Sequence, residues 1–299
     1  MKYLAWFFVL SISFSVFAQH EETILLKDSK IYIKTFGKGK PLLIINGGPG
    51  MNSEGFASLA EELGKNNLAI LYDQRGTGKS TINEISAKTM TMDLMVDDIE
   101  AIRTHLKIDR WIVFGHSFGG MLASYYATKF PDTIDGLILS SSGGLDLTLL
   151  STLNITSRLT EKQQDSLNYW TRKINNGDTS NYAALQRGKF LAPAYLYDKT
   201  FVPLIAERLT QGNMSINGLI WENMRAIDFD CKPKLKNFKK PVLIIQGNQD
   251  VLDRKVADIA NSVFPNSDLF FIDKSAHYGW LEQPEAYFGK IKSFLSSLN

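Results

Sequence analysis

The chain has 299 residues, 44% of them hydrophobic, and 33 basic against 31 acidic residues leave a formal charge of +2. That size and apolar content can bury a large core, as one domain or as a core plus a cap, and they exclude a fibrous or disordered chain. The balanced charge leaves no electrostatic footprint for nucleic acid or an anionic membrane, and the single Cys231 excludes an internal disulfide or a cysteine-rich zinc site.

Residues 1–18 read as a signal peptide. Lys2 supplies the positive start, Leu4 to Phe17 the apolar stretch, and Val16-Phe17-Ala18 the small residues that predict cleavage before Gln19. The stretch is short for a bilayer span, so export to a periplasm or beyond is expected, with no membrane attachment after cleavage. A retained anchor is the alternative.

Thr23 to Leu26 and Ile31 to Phe36 then read as a hairpin, and Pro41 to Ile45 as a strand buried on both faces. A helix from Ser53 to Leu63, a strand from Leu68 to Tyr72, a helix from Asp93 to Leu106 and a strand from Arg110 to Phe114 follow. Another apolar strand covers Gly136 to Leu139 after a further helix. From 143 to 238 the pattern is helical and polar, without a convincing buried strand. Alternation resumes with a strand at Pro241 to Ile245, a helix from Arg254 to Val263, a strand at Leu269 to Ile272 and a last helix from Pro284. This order predicts a mostly parallel sheet flanked by helices, formed by 19–142 and 239–299, with 143–238 inserted as a helical lid. The lid should cover the carboxyl ends of the strands, where open α/β sheets bind ligands.

One pentapeptide carries most of the chemistry. Gly115-His116-Ser117-Phe118-Gly119 follows an apolar strand and precedes a helix, the setting of a nucleophile elbow. A nucleophilic hydroxyl needs a base, and the base needs an orienting acid. Of four histidines, His20 lies at the processed terminus, His105 on a helix and His116 inside the elbow. His277, in the loop after the last strand, is the candidate base. Asp250, directly after the strand ending at Ile245, is the candidate acid; Asp253 competes but could cap the next helix, and Asp146 is a third choice. The order Ser, Asp, His is that of α/β-hydrolases. Asn46-Gly47-Gly48-Pro49-Gly50 offers amides close to a reacting carbonyl. Gly48, with Gly47 next, would form an oxyanion hole with the amide of Phe118. Losing one such donor costs on the order of 3 kcal/mol of transition-state stabilisation. Gly78-Lys79-Ser80 ends like a phosphate-binding loop, but Asp73 stands where that loop needs glycine, so no nucleotide is implied.

These segments resemble the proline iminopeptidase branch of the α/β-hydrolases. Asn46 to Gly50 is similar to that family's HGGPG, and Asp73-Gln-Arg-Gly-Thr-Gly-Lys-Ser80 to its DQRGxGxS. The likeness spans about 30–145 and 235–295. Two departures stand out: Asn46 replaces the leading histidine, and the elbow reads Gly-His-Ser-Phe-Gly rather than Gly-Gly-Ser-Trp-Gly. The resemblance implies a structural role for Asp73 and Arg75 in the pocket floor, and lid glutamates that hold a substrate amine. Glu222, beside Trp221, is the candidate anchor, with Glu207 the other choice; Trp170, Tyr195, Tyr197, Trp221 and Phe229 could line the pocket.

The expected activity is release of an amino-terminal residue, proline preferred, from short peptides through an acyl-enzyme, with no cofactor or metal needed. A carboxylesterase for small esters is the alternative, and a pocket that binds without turnover a third reading.

Overall fold

A computed structural model describes residues 19–298 of the protein; the expected signal peptide lies outside the described residues. The core opens with β1 (Gln19–Leu25), β2 (Ser29–Phe36), β3 (Lys40–Ile45), α1 (Ala57–Gly64), β4 (Asn67–Tyr72) and β5 (Thr81–Ile82). It continues with α2 (Met92–His105), β6 (Trp111–His116), α3 (Phe118–Lys129) and β7 (Ile134–Ser140). The insertion holds α4 (Glu161–Asn175), α5 (Asn181–Leu191), α6 (Val202–Thr210), α7 (Met214–Ala226) and α8 (Lys232–Leu235). Then come β8 (Val242–Gly247), α9 (Arg254–Val263), β9 (Ser267–Ile272), α10 (Gly279–Glu282) and α11 (Pro284–Ser297).

The nine strands form one sheet in the order β1-β2-β4-β3-β6-β7-β8-β9, with β5 paired to β2. From β4 to β9 every pairing is parallel, while β2 runs antiparallel to β1, β4 and β5. The chain leaves β3 towards β4 and returns to β6 on the other side of β3. Strand order therefore reverses at β3 and β6, which opens a crevice beyond their carboxyl ends.

Strand alternation assigns each side chain to a core. Leu43, Ile45 and Val113 face a layer with α2 and α3, whereas Leu42, Ile44, Ile112 and Phe114 face one with α1 and α11. All seven are fully buried, each worth about 1.5–3 kcal/mol in apolar burial. The continuous apolar runs follow from this two-sided burial.

Between β7 and β8 the chain forms helices and no strand, apart from one isolated bridge at the base of the insertion and one at its tip. At the base Asp146 pairs with Asp230, and the Cys231 amide donates to Leu145 O at 2.8 Å. The tip is fastened to the glycine loop after β3: the Asn213 amide donates to Gly50 O at 2.8 Å and Asn217 Nδ2 to Pro49 O at 3.0 Å. Among the described residues no helix is long and apolar enough to cross a membrane.

Candidate active site

Ser117 sits between β6 and α3 with φ 56° and ψ −122°, a conformation that costs an ordinary residue on the order of 1–3 kcal/mol. Three backbone bonds hold it: its amide donates to Ser140 O, and its carbonyl accepts from Gly120 and Gly143, each at 3.0 Å. A Cβ on Gly115 would lie 2.3 Å from Gly119 O, and one on Gly119 2.2 Å from Ile45 O. The elbow fits only because both flanking residues lack side chains. Ser117 stands at the amino end of α3, where the Phe118 amide has no partner within the helix.

His277 follows β9 in a loop braced on two sides. Its amide donates to Tyr195 O at 3.1 Å, and the Ala276 amide donates to Glu282. Its Nδ1 lies 2.8 Å from Asp250 Oδ1, both side chains being almost wholly buried. Asp250 Oδ1 also accepts the Leu252 amide at 3.2 Å. Burial pushes the Asp250 carboxyl up, but the facing His277 charge and hydrogen bond outweigh it and hold the group below the usual aspartate range. A carboxylate that stays ionised there fixes the imidazole with Nε2 free to take a proton. The acid loop is tied to the histidine loop by Gln249, whose amide donates to Ser275 O at 2.9 Å and whose Oε1 accepts from Ser275 N at 3.1 Å. Arg158 of the insertion donates to Asp250 O at 2.8 Å.

The competing acids are occupied elsewhere. Asp253 caps α9, accepting the Lys255 amide at 2.8 Å, and Asp146 pairs with Lys232. Of the other histidines, His116 alone packs against the candidate base among the described residues, its ring centroid 4.7 Å from that of His277. His20 and His105 lie beside Glu22. His116 is buried against Phe56, Trp280 and Tyr278, and burial keeps its pKa well below the ordinary range, so it packs as a neutral ring.

The glycine loop closes on the elbow. A Cβ on Gly47 would come within 2.8 Å of Ser117 Cβ, which measures how near this backbone runs to the elbow serine. Gly48 takes φ 73°, and its amide donates to no protein acceptor among the described residues. Asn46, in place of the family's histidine, shapes the loop from within: its Nδ2 donates to Met51 O, Gly47 O and Asn52 O at 3.0–3.2 Å. Gln74 donates to Asn46 O at 2.9 Å. Asp73 accepts from Ser53 and the Lys79 amide, and Arg75 forms a two-pronged buried pair with Asp98 at 2.7 and 2.8 Å. Both are hubs behind the loop, with the structural character that the resemblance implies.

One residue behind the site was not foreseen. Arg208 of α6 is buried, lies over the Phe56 ring and has no carboxylate in hydrogen-bond contact among the described residues. Its Nη2 donates to Gly47 O at 3.3 Å. That carbonyl belongs to the same peptide unit as the Gly48 amide, so the cation is placed to orient and polarise that amide. No sequence spacing marks it, because the contact joins residues 161 positions apart.

Ser117, Phe118, Gly48 and His277 open into one cavity of about 570 Å³. Trp221 and Tyr195 line it. Trp170 instead packs edge-to-face with Tyr169 and Tyr182, Tyr197 is exposed and Phe229 belongs to the core. The glutamates are a correction. Glu222 is exposed and outside the cavity, since Asn217 and Trp221, four residues apart, present the inner face of α7 and Glu222 lies about 100° further round. Glu207 lies in a separate groove with Leu204 and Gln211.

A sequence profile described as alpha/beta hydrolase fold matches residues 40–284. A proline iminopeptidase of Heyndrickxia coagulans is 29% identical over 279 residues, covering 88% of this chain and 92% of that one. Two solved structures share the fold: the proline iminopeptidase of Mycobacterium smegmatis and an esterase from Exiguobacterium antarcticum. The first has TM-score 0.66 and 23% identity, and covers 93% of this chain and 98% of its own. The second has TM-score 0.70 and 18% identity, and covers 90% and 96%. The chain belongs to the alpha/beta hydrolase fold family and, within it, is a serine hydrolase similar to the proline iminopeptidases.

Proposed function

We propose that the protein is an exported hydrolase that cleaves a small ester or amide through an acyl-enzyme on Ser117. The observation that carries this is the 2.8 Å bond between Asp250 and His277, whose ring opens into the cavity that also holds the strained Ser117. Ser117 Oγ bonds to the substrate carbonyl carbon as its proton passes to His277 Nε2. The oxyanion is met by the amides of Phe118 and Gly48. The carbonyl–leaving-group bond then breaks, the leaving group taking the proton from the imidazolium. Water, deprotonated by the same imidazole, attacks the acyl-enzyme and frees the acid, returning the proton to Ser117. Serine–imidazole contacts commonly tighten only when substrate binds. The insertion, 143–238, would act as the lid over this chemistry, and cleavage before Gln19 would release the mature chain. A fluorophosphonate should label the protein at Ser117 and leave Ser117→Ala unlabelled; labelling of the alanine variant overturns the assignment. Sequencing the amino terminus of the exported protein tests the cleavage point.

The second reading, release of an amino-terminal proline, is favoured by the relative similar over 88% of the chain. The cavity argues against it, because no Asp or Glu among the described residues lines it to hold an ammonium. Proline naphthylamide and its N-acetyl form separate the two. An aminopeptidase turns over only the free amine.

A further inference from the structure

Every other buried or half-buried arginine of the described chain has an electronegative partner. Arg75 binds Asp98, Arg103 binds Glu100, and Arg208 binds the carbonyls of Asn52 and Gly47. Arg187, on α5, is the exception: it is half-buried, lines the catalytic cavity and makes no hydrogen bond or ion pair among the described residues. A guanidinium partly withdrawn from water without a partner is a standing cost, removed when an anion arrives. The rest of the wall offers it none. Leu153, Leu167, Leu191 and Trp221 make the lining largely apolar, and no carboxylate of the described residues lies on it.

From this we infer that the substrate carries a carboxylate, and that Arg187 binds it while Ser117 attacks the carbonyl at the other end of the molecule. The inference rests on the acyl-enzyme reading above and names its substrate class. Position supports it. Arg187, Tyr195 and His277 line the same cavity; the Tyr195 ring centroid lies 5.5 Å from that of His277, and its carbonyl accepts the His277 amide. Asn168 and Thr171 of α4, the helix packed against α5, reach the same cavity without protein hydrogen bonds and can complete the anion's shell. Chemistry supports it as well: the planar fork of arginine matches a carboxylate in two parallel bonds, whereas it repels the ammonium of a free amino terminus.

The carboxylate could sit on the acyl or on the leaving side, and two substrate pairs distinguish these. Mono-4-nitrophenyl glutarate is compared with its methyl ester for the acyl side, and 4-butyryloxybenzoate with its methyl ester for the leaving side. In one pair kcat/KM for the acid should exceed that for the methyl ester by about tenfold or more, the worth of one charged hydrogen bond. The difference should lie mainly in KM. Arg187→Gln should bring the ratio close to one, and Arg187→Lys should keep part of it. Raising the salt concentration should shrink the ratio in the unaltered protein, a readout that needs no variant. A ratio near one in both pairs overturns the inference, as does a ratio that Arg187→Gln leaves intact. If neither acids nor methyl esters turn over and Ser117 resists the fluorophosphonate, the acyl-enzyme reading itself fails, which is a different result.

Discussion

The sheet edge and the helical insertion solve opposite problems. At the edge, Ser117, Asp250 and His277 are held by dense bonding: a pinned elbow, a capped carboxylate, and loops cross-tied through Gln249. Across the cavity, the side chains of Arg187, Asn168 and Thr171 make no hydrogen bond or ion pair among the described residues. Groups that act on the reacting atoms must be oriented in advance, because reorienting them during the reaction would add to the barrier. Groups that recognise a substrate must be left unsatisfied, or nothing is gained when it binds. On the readings proposed above, the contrast is the difference between a site that transforms and a site that selects.

The largest effect that could break this comparison lies at the acid. Asp250→Asn should keep the shape but orient the imidazole wrongly, and kcat should fall by about 10⁴-fold. Asp253→Ala removes only a helix cap, at about 1 kcal/mol of stability with little loss of turnover. Steady-state kinetics and urea unfolding on both variants check this. The reverse pattern would move the acid to Asp253. A smaller effect is expected at Arg208. Arg208→Met leaves the Gly47–Gly48 peptide without its cation, so kcat should fall about tenfold or more with KM little changed. A purely structural arginine would instead lower the unfolding midpoint and leave kcat per folded molecule intact.

The two regions also differ in how far the sequence disclosed them. Strands buried on both faces must be continuous apolar runs, and an elbow packed against Ile45 and Gly119 carbonyls must carry glycine, so β3, β6 and Ser117 were legible. The two-residue β5 was not, being too short to hold a pattern. In the insertion, helical periodicity shows which residues share a face but not which face meets the cavity. Glu222 and Trp221 are neighbours in sequence, yet one points to water and the other lines the site. Arg187 and Arg208 acquire their meaning from helix packing alone, which local pattern does not encode.

The smallest effect separates the ionised acid from a merely buried one. The folded-state pKa of Asp250 lies below the ordinary value of 3.8, because the His277 charge and hydrogen bond overcome burial. Its contribution to stability is therefore complete above that ordinary value and is lost as pH falls through the lower folded value. Asp250→Asn cannot titrate. In urea unfolding taken from neutral pH into acid, the variant should start less stable and then lose stability less steeply below about pH 4. The difference in slope is bounded by one proton, at most about 1.4 kcal/mol per pH unit. If the variant's acid limb instead parallels that of the unaltered protein, Asp250 gains no proton in that range on unfolding. The bond to His277 would then leave its ionisation as it is in the unfolded chain, and the carboxylate would serve as a geometric support rather than as a charge facing the imidazolium.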